Sequence, residues 1–191
     1  MSPLRDDEKQ FLLRIARKAI ESAVTQGRAL EISAPSGNLS ANRGAFVTLR
    51  RRGRLRGCIG RISPIESLVE VVAECAVAAA TDDPRFSPVD TAEISELQIE
   101  LSVLTEAKLA RAEEIQVGVH GLIVSREGKR GVLLPQVAAE RHWSRDRFLE
   151  ETCEKAGLEP SAWRSPDTRI EIFTAEIFPE ADFTSPAPPN P

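Results

Sequence analysis

Residues 96–104 read Glu-Leu-Gln-Ile-Glu-Leu-Ser-Val-Leu, and this stretch decides the fold class. Its apolar residues occupy every second position: Leu97, Ile99, Leu101 and Val103. Because successive side chains of a strand point to opposite faces, the pattern predicts a strand with one buried face and one polar face. Such one-sided burial is typical of an antiparallel sheet.

Two hairpins accompany this strand, formed by residues 45–51 with 55–59 and by residues 120–125 with 131–134. The first turns at Arg52-Gly53 and the second around residues 127–130, where glycine permits tight backbone turns. Hairpins outnumber strand–helix–strand crossovers in this reading. The sequence therefore predicts an α+β fold, with antiparallel sheet and flanking helices.

Helical spacing of apolar residues predicts three helices: one ending near Gly27, one from Ser63 to about Ala80, and one from Ser144 to Gly157. For the second helix, Ser63 and Glu66 match a capping box and Pro64 suits the first helical position. The Ser- and Gly-rich residues 33–44 predict a lid or a packed irregular segment.

A last strand is predicted over about residues 169–178. Its alternation shifts phase near Phe173 and Thr174, which predicts a bulge or a strong twist. The segment 184–191 holds four prolines and is expected to be disordered.

Composition limits the functional classes. The chain has 191 residues, 41% of them hydrophobic, and a net charge of −4, which argues against general nucleic-acid binding. We expect a cytoplasmic protein, because the chain starts with polar, acidic residues and lacks an apolar run of membrane-spanning length. An odd number of cysteines, three, predicts reduced thiols, and without paired Cys or His spacing we expect no metal site.

Residues 55–60, Leu-Arg-Gly-Cys-Ile-Gly, carry the strongest chemical signal. Gly57 and Gly60 at a strand end indicate an unusual torsion or a close approach, for instance by a ligand. Arginines surround Cys58, and a helix start is predicted a few residues later; both stabilise a thiolate. Cys58 is therefore the candidate nucleophile or redox residue, with a small buried strand cysteine as the competing interpretation.

The hexapeptide at residues 55–60 resembles the signature of the AMMECR1 family. Further blocks resemble the family in register, at residues 83–89, 101–104, 118–124, 131–138 and 143–163. Over residues 8–182 the chain is thus similar to the AMMECR1 domain, whose family includes proteins like AmmeMemoRadiSam system protein A. Residues 1–7 then form an N-terminal tail and residues 183–191 a Pro-rich tail.

The resemblance implies a two-lobed α+β fold around a cleft lined by the motif residues, and it implies no settled reaction. Prokaryotic members are associated with a Memo-like protein and a radical SAM protein, which suggests redox or cofactor chemistry and names no cofactor.

Other residues have two interpretations each. Asp83 and Arg85 form either a clamp in which Arg85 binds a carboxylate or phosphate, or a salt bridge that pins a loop. His120 is either a base for Cys58 or a structural histidine. Gln136 either donates to a substrate carbonyl or caps the following helix.

The leading hypothesis is an enzyme or enzyme partner whose cleft contains Cys58, with Arg56 and Arg85 orienting an anionic or polar substrate. The alternative is a non-catalytic adaptor that binds a protein through the motif surface. A third, weaker hypothesis is nucleic-acid binding through an arginine-rich hairpin, whose members are Arg43, Arg50, Arg51, Arg52, Arg54, Arg56 and Arg61. No aromatic residues interleave with them except Phe46, which disfavours a stacking platform.

Overall fold

The computed structural model describes residues 3–32, 36–62 and 64–183. Its helices are α1 (Asp6–Gln26), α2 (Leu68–Thr81), α3 (Pro135–Glu140) and α4 (Arg145–Lys155). Its strands are β1 (Ala45–Arg51), β2 (Arg54–Arg61), β3 (Leu97–Leu104), β4 (Lys108–Leu109), β5 (Gly121–Arg126), β6 (Lys129–Leu133), β7 (Arg169–Phe173) and β8 (Ala175–Pro179).

The chain forms two compact units. The first unit runs to Leu104 and resumes at Glu176, and its sheet has the strand order β2-β1-β3-β8. β1 pairs antiparallel with both β2 and β3. α2 packs on β1 and β2, and α1 packs on α2 and β3. The core between helices and sheet consists of aliphatic side chains, among them Leu12, Ile20, Val47, Leu49, Leu68, Ile99 and Leu101.

The second unit spans Thr105–Ala175 and has a sheet of order β4-β7-β5-β6. β5 pairs antiparallel with β6 and with β7. α4 packs on β5 and β6. Its core includes Leu122, Phe148, Leu149 and Ile172.

The predicted α+β class is confirmed, with two antiparallel sheets and flanking helices. β3 covers the alternating stretch as predicted, and Leu97, Ile99, Leu101 and Val103 are buried. Both hairpins occur at the predicted turns. The Ser144 hydroxyl caps α4 by accepting from the Arg147 N–H at 3.2 Å.

The predicted start of the second helix is wrong. α2 begins at Leu68 and is capped by a box of Ser67 and Glu70, while residues 64–67 are not helical. Ser63 lies outside the described residues. The Leu68 N–H donates to the Ala41 carbonyl at 2.9 Å, so a tertiary contact fixes where this helix begins.

The predicted last strand is two strands that belong to different sheets. β7 pairs with β5 in the second unit, and β8 joins the first unit beside β3. The phase shift near Phe173 and Thr174 marks this change of sheet, and the bulge predicted there is a strand boundary.

The first and last described residues pack on the protein. Leu4 is buried and its N–H donates to the Glu176 carboxylate at 3.1 Å, and α1 already begins at Asp6. Phe183 packs edge-on against Phe178. The segment 184–191, predicted to be disordered, lies outside the described residues, as do residues 33–35 of the predicted lid. Within the described ranges, no helix combines the length and the apolar composition that a membrane crossing requires.

Candidate functional site

Cys58 lies on β2, at the edge of the first unit's sheet. A register shift between Leu49 and Arg50 adds one residue to β2 and places Thr48 opposite Cys58. The Thr48 Oγ1 and Cys58 Sγ atoms are 3.3 Å apart, so either one can donate to the other. Cys58 is half-buried, whereas Cys75 and Cys153 are buried.

Asp83 and Arg85 occupy the open edge of β2 at Cys58. The Cys58 N–H donates to Asp83 Oδ2 at 2.8 Å, and Arg85 Nη2 donates to the Cys58 carbonyl at 3.3 Å. Arg85 in turn binds Asp83 in a bidentate manner, at 2.9 Å and 2.6 Å. Because the exposed N–H and C=O of an edge strand are free to pair, this Asp–Arg pair takes the place of a neighbouring strand.

Asp83 is buried, whereas the Arg85 side chain is largely exposed, so the two side chains have different roles. Asp83 is 4% exposed, and its hydrogen bonds from the Arg85 guanidinium are the main reason that the pKa of its carboxyl lies well below the usual range. The Arg85 side chain is 53% exposed. Its Nη1 has no hydrogen-bond partner among the described residues. The carboxylate thus fixes a guanidinium that still has a donor facing outward.

Arg56 is occupied by protein partners. It forms a bidentate pair with Glu93 at 3.1 Å and 2.8 Å, and it also donates to the carbonyls of Ser87 and Pro88. The Arg56 guanidinium is the main reason that the pKa of Glu93 falls to about 2. Arg56 therefore fastens residues 83–89 to β2, which brings the two predicted motifs together.

The two glycines of the hexapeptide are explained by packing. A Cβ on Gly57 would overlap the carbonyl oxygen of Ala79 in α2, and a Cβ on Gly60 would overlap the Phe46 ring. Gly57 therefore allows the backbone of β2 to lie directly against α2, and Gly60 leaves space for an aromatic ring.

The expected helix N-terminus near Cys58 is not what the structure provides. Gly57 contacts Ala79, which lies in the last turn of α2, so the nearby end of this helix is its C-terminal end. That end carries partial negative charge and does not favour a thiolate.

Most of the arginine cluster is neutralised by acids of the same unit. Arg51 and Arg52 pair with Glu96, and Arg61 pairs with Glu66 and Glu74. Arg43 is buried against Glu176. These pairings leave little free positive charge on the hairpin for a nucleic acid.

His120 and Gln136 belong to the second unit. His120 Nδ1 accepts from the Gln116 N–H at 3.1 Å, a local contact that orders the turn before β5. Gln136 lies in the first turn of α3, and its Oε1 is buried without a partner among the described residues. The role of His120 as a base for Cys58 stays a prediction, and so does the role of Gln136 as a donor to a substrate carbonyl.

The other two thiols are buried. Burial raises the pKa of the Cys75 thiol to about 11, and burial also raises the pKa of Cys153. Over the described ranges, no group of three His, Cys, Asp or Glu side chains is arranged to hold a metal ion.

The sequence did not indicate Thr48 or Glu93. Counting back from the Arg52-Gly53 turn would pair Thr48 with Gly57, and only the register shift brings it to Cys58. Glu93 lies in a short 3-10 helix and has no local signal that would identify Arg56 as its partner.

Comparison with known proteins gives one consistent result. The AMMECR1 family model matches residues 13–178. Protein MK0488 of Methanopyrus kandleri is 45% identical over 186 residues, which cover 92% of this chain and 90% of that protein. Protein TK0174 of Thermococcus kodakarensis is 43% identical and covers 94% of each chain.

Among solved structures, uncharacterized protein PH0010 of Pyrococcus horikoshii superposes with a TM-score of 0.86 at 43% identity, over 93% of each chain. The hexapeptide around Cys58 and the loop that Arg56 and Asp83 bind to it both lie within the matched region. The chain belongs to the AMMECR1 family.

Proposed function

We propose that this protein is a cytoplasmic enzyme, or the partner of an enzyme, whose ligand site is centred on Cys58. The observation that supports this proposal is the position of Arg85, whose guanidinium is fixed by buried Asp83, bound to the main chain of Cys58 and half exposed. A guanidinium held in this way binds carboxylate or phosphate with little loss of side-chain freedom.

In this proposal Arg85 binds the anionic group of a small polar ligand, and the Cys58 thiol is the group that reacts with it or contacts it. Thr48 Oγ1 lies within hydrogen-bond distance of the thiol and orients it. Arg56 and Asp83 position the site without touching the ligand, because their polar atoms are occupied by protein partners.

Alkylation by iodoacetamide as a function of pH, read at each cysteine-containing peptide by mass spectrometry, tests the reactivity of Cys58. Cys75 and Cys153 are internal references. A Cys75 pKa of about 11 leaves about one thiolate in a thousand at pH 8, and the protein around it slows access further. We expect Cys58 to react at least about a hundredfold faster than either buried thiol. Equal rates for all three thiols in the folded protein would contradict the proposal.

A second candidate function is a protein-interaction adaptor, and Ile65 is the observation in its favour. Ile65 is 87% exposed, and its carbonyl accepts a hydrogen bond from Asn42. An exposed apolar side chain beside a main-chain hydrogen bond is suited to fill a pocket on a partner.

We propose a Memo-like protein and a radical SAM protein as the first partners to test, by pull-down with purified proteins. An adaptor keeps its partner after Cys58→Ser and loses it after Ile65→Ser. A partner enzyme that works through the Cys58 site shows the opposite pattern. Arg85→Ala further separates the two, because it removes the ligand anchor and leaves the Ile65 surface unchanged.

A further inference from the structure

We infer that the Cys58 site takes an elongated ligand with two opposite charges: an anionic group at Arg85 and a cationic group, an amine or guanidinium, at Glu100. This inference rests on the proposed function above and names the class of ligand. It assigns a binding role to Glu100 on β3, a residue that sequence patterning places only on the polar face of its strand.

The sheet register brings Glu100 into the same row as Cys58. Thr48 on β1 pairs with Cys58 on one side and with Glu100 on the other. Residues directly opposite each other in antiparallel strands present their side chains on one face. The row across the first unit's sheet is therefore a thiol, a hydroxyl and a carboxylate, on the face opposite the buried Leu49 and Ile99.

Glu100 is a half-buried residue whose carboxylate is unpaired. It has no hydrogen bond and no ion pair among the described residues, whereas the acids nearer the hairpin turn, Glu93 and Glu96, are each paired with arginine. Arg50, one diagonal step away by register, forms no ion pair with it in the described part of the chain. An unpaired carboxylate in this row is free to bind a cationic group of a ligand.

Ser102 supplies a second, independent indication of a ligand on this face. It follows Glu100 by two residues on β3 and so lies on the same face. Ser102 is 1% exposed, and its Oγ has no partner among the described residues. Because nearly all buried polar groups are hydrogen-bonded, an unpartnered hydroxyl here indicates a missing partner such as a ligand group or a water.

Strand spacing sets the length of the ligand. Neighbouring strands lie about 4.8 Å apart, so Glu100 is about 10 Å from Cys58 across β1. Arg85 binds the Cys58 carbonyl on the other side of β2, at the sheet edge. This spacing suits a ligand whose two charged groups are about 10 Å apart, as in a short peptide with a basic side chain.

Charged thiol reagents with one common reactive group test this assignment. Three methanethiosulfonates carry a neutral methyl, an anionic sulfonatoethyl or a cationic trimethylammonioethyl group, and their rates are read at the Cys58 peptide. Dividing by the neutral rate removes any change in the thiol itself. For a unit charge about 10 Å away, Coulomb's law predicts that Glu100→Gln lowers the cationic-to-neutral ratio about two- to tenfold.

Two control variants make this result specific. Glu100→Asp keeps the charge and is expected to keep the ratio. Glu21→Gln removes one charge from an exposed position on α1 of the same unit and is expected to leave the ratio unchanged. An equal cationic-to-neutral ratio in wild type and Glu100→Gln would overturn the inference.

The same data separate the inference from the proposed function. If Cys58 does not react faster than the buried thiols even with the neutral reagent, the proposed function fails. If Cys58 reacts and Arg85→Gln lowers the anionic-to-neutral ratio while Glu100→Gln has no effect, only the two-charge ligand is refuted.

Discussion

Replacement of Asp83 by asparagine tests the edge of β2 on which the site depends. The carboxylate accepts four hydrogen bonds, from the Cys58 N–H, the Arg85 N–H and two guanidinium nitrogens of Arg85. Asparagine keeps one acceptor oxygen and presents an NH₂ group toward donors in place of the other. At least two charge-assisted hydrogen bonds are therefore lost.

The loss of stability in Asp83→Asn follows from the strength of hydrogen bonds to a charged group. Hydrogen bonds to a charged group contribute about 1.5–3 kcal/mol each when buried, and the 53% exposure of Arg85 reduces its share through solvent screening. We expect Asp83→Asn to lower the free energy of unfolding of the first unit by about 2–4 kcal/mol at pH 7. With typical urea dependences this lowers the midpoint by about 1 M or more.

The destabilisation caused by Asp83→Asn should become smaller as pH falls. Because the pKa of Asp83 is depressed in the folded state, its contribution is present above the unfolded pKa of about 3.9 and is lost as pH falls further. The difference between wild type and variant should therefore shrink below about pH 4.

The assay must report on the first unit alone. Both tryptophans, Trp143 and Trp163, lie in the second unit, so their fluorescence does not serve. Labelling of buried Cys75 during urea titration at pH 7 reports unfolding of the first unit, and Cys153 reports the second unit. For the pH series, in which thiol labelling becomes slow, amide hydrogen exchange is read on peptides of the first unit.

Asp82→Asn is the matched control, because the adjacent Asp82 is exposed and accepts from Thr81. A Cys75 midpoint that is the same in Asp83→Asn, Asp82→Asn and wild type would refute the reasoning.

Two further predictions concern packing and charge around the hexapeptide. Gly57→Ala should destabilise the first unit by about 3 kcal/mol, because the Ala79 backbone cannot move aside. Gly60→Ala should destabilise the first unit as well, because a Cβ there would overlap both the Phe46 ring and the Ala45 carbonyl oxygen; a Cys75 labelling midpoint that is unchanged in either variant would contradict this account. Glu93→Gln should cost about 1–2 kcal/mol at pH 7. Because the pKa of Glu93 is depressed to about 2, that cost should be lost in urea titrations as pH falls from about 4.5 toward 2, and a pH-independent cost would refute it.

The sequence predicted the elements whose signals are local. The alternation of residues 96–104 and the glycine turns at Gly53 and Gly128 depend only on neighbouring residues, and β3 and both hairpins formed where predicted. The helix start failed because Ser63 with Glu66 and Ser67 with Glu70 match the same capping pattern. The contact of Leu68 with Ala41 decides between them, and it is not local.

In the candidate site, too, local signals were predicted and long-range contacts were not. Cys58, Asp83 and Arg85 were singled out by composition and motif, and the structure brings them together. The partner of Arg56 and the row of Thr48 and Glu100 could not be predicted, because they depend on a register shift and on pairing between distant strands. A phase shift near Phe173 was visible in the sequence, but only the pairing of β7 and β8 shows that it separates two sheets.

The central claim is that a fixed Arg85 guanidinium draws an anionic group to the Cys58 thiol. The most direct test is the rate of Cys58 modification by the anionic methanethiosulfonate divided by the rate with the neutral one, in wild type and in Arg85→Gln. We predict that the ratio falls about threefold or more in the variant, from loss of a unit charge near the thiol. The same ratio in both proteins would contradict the claim.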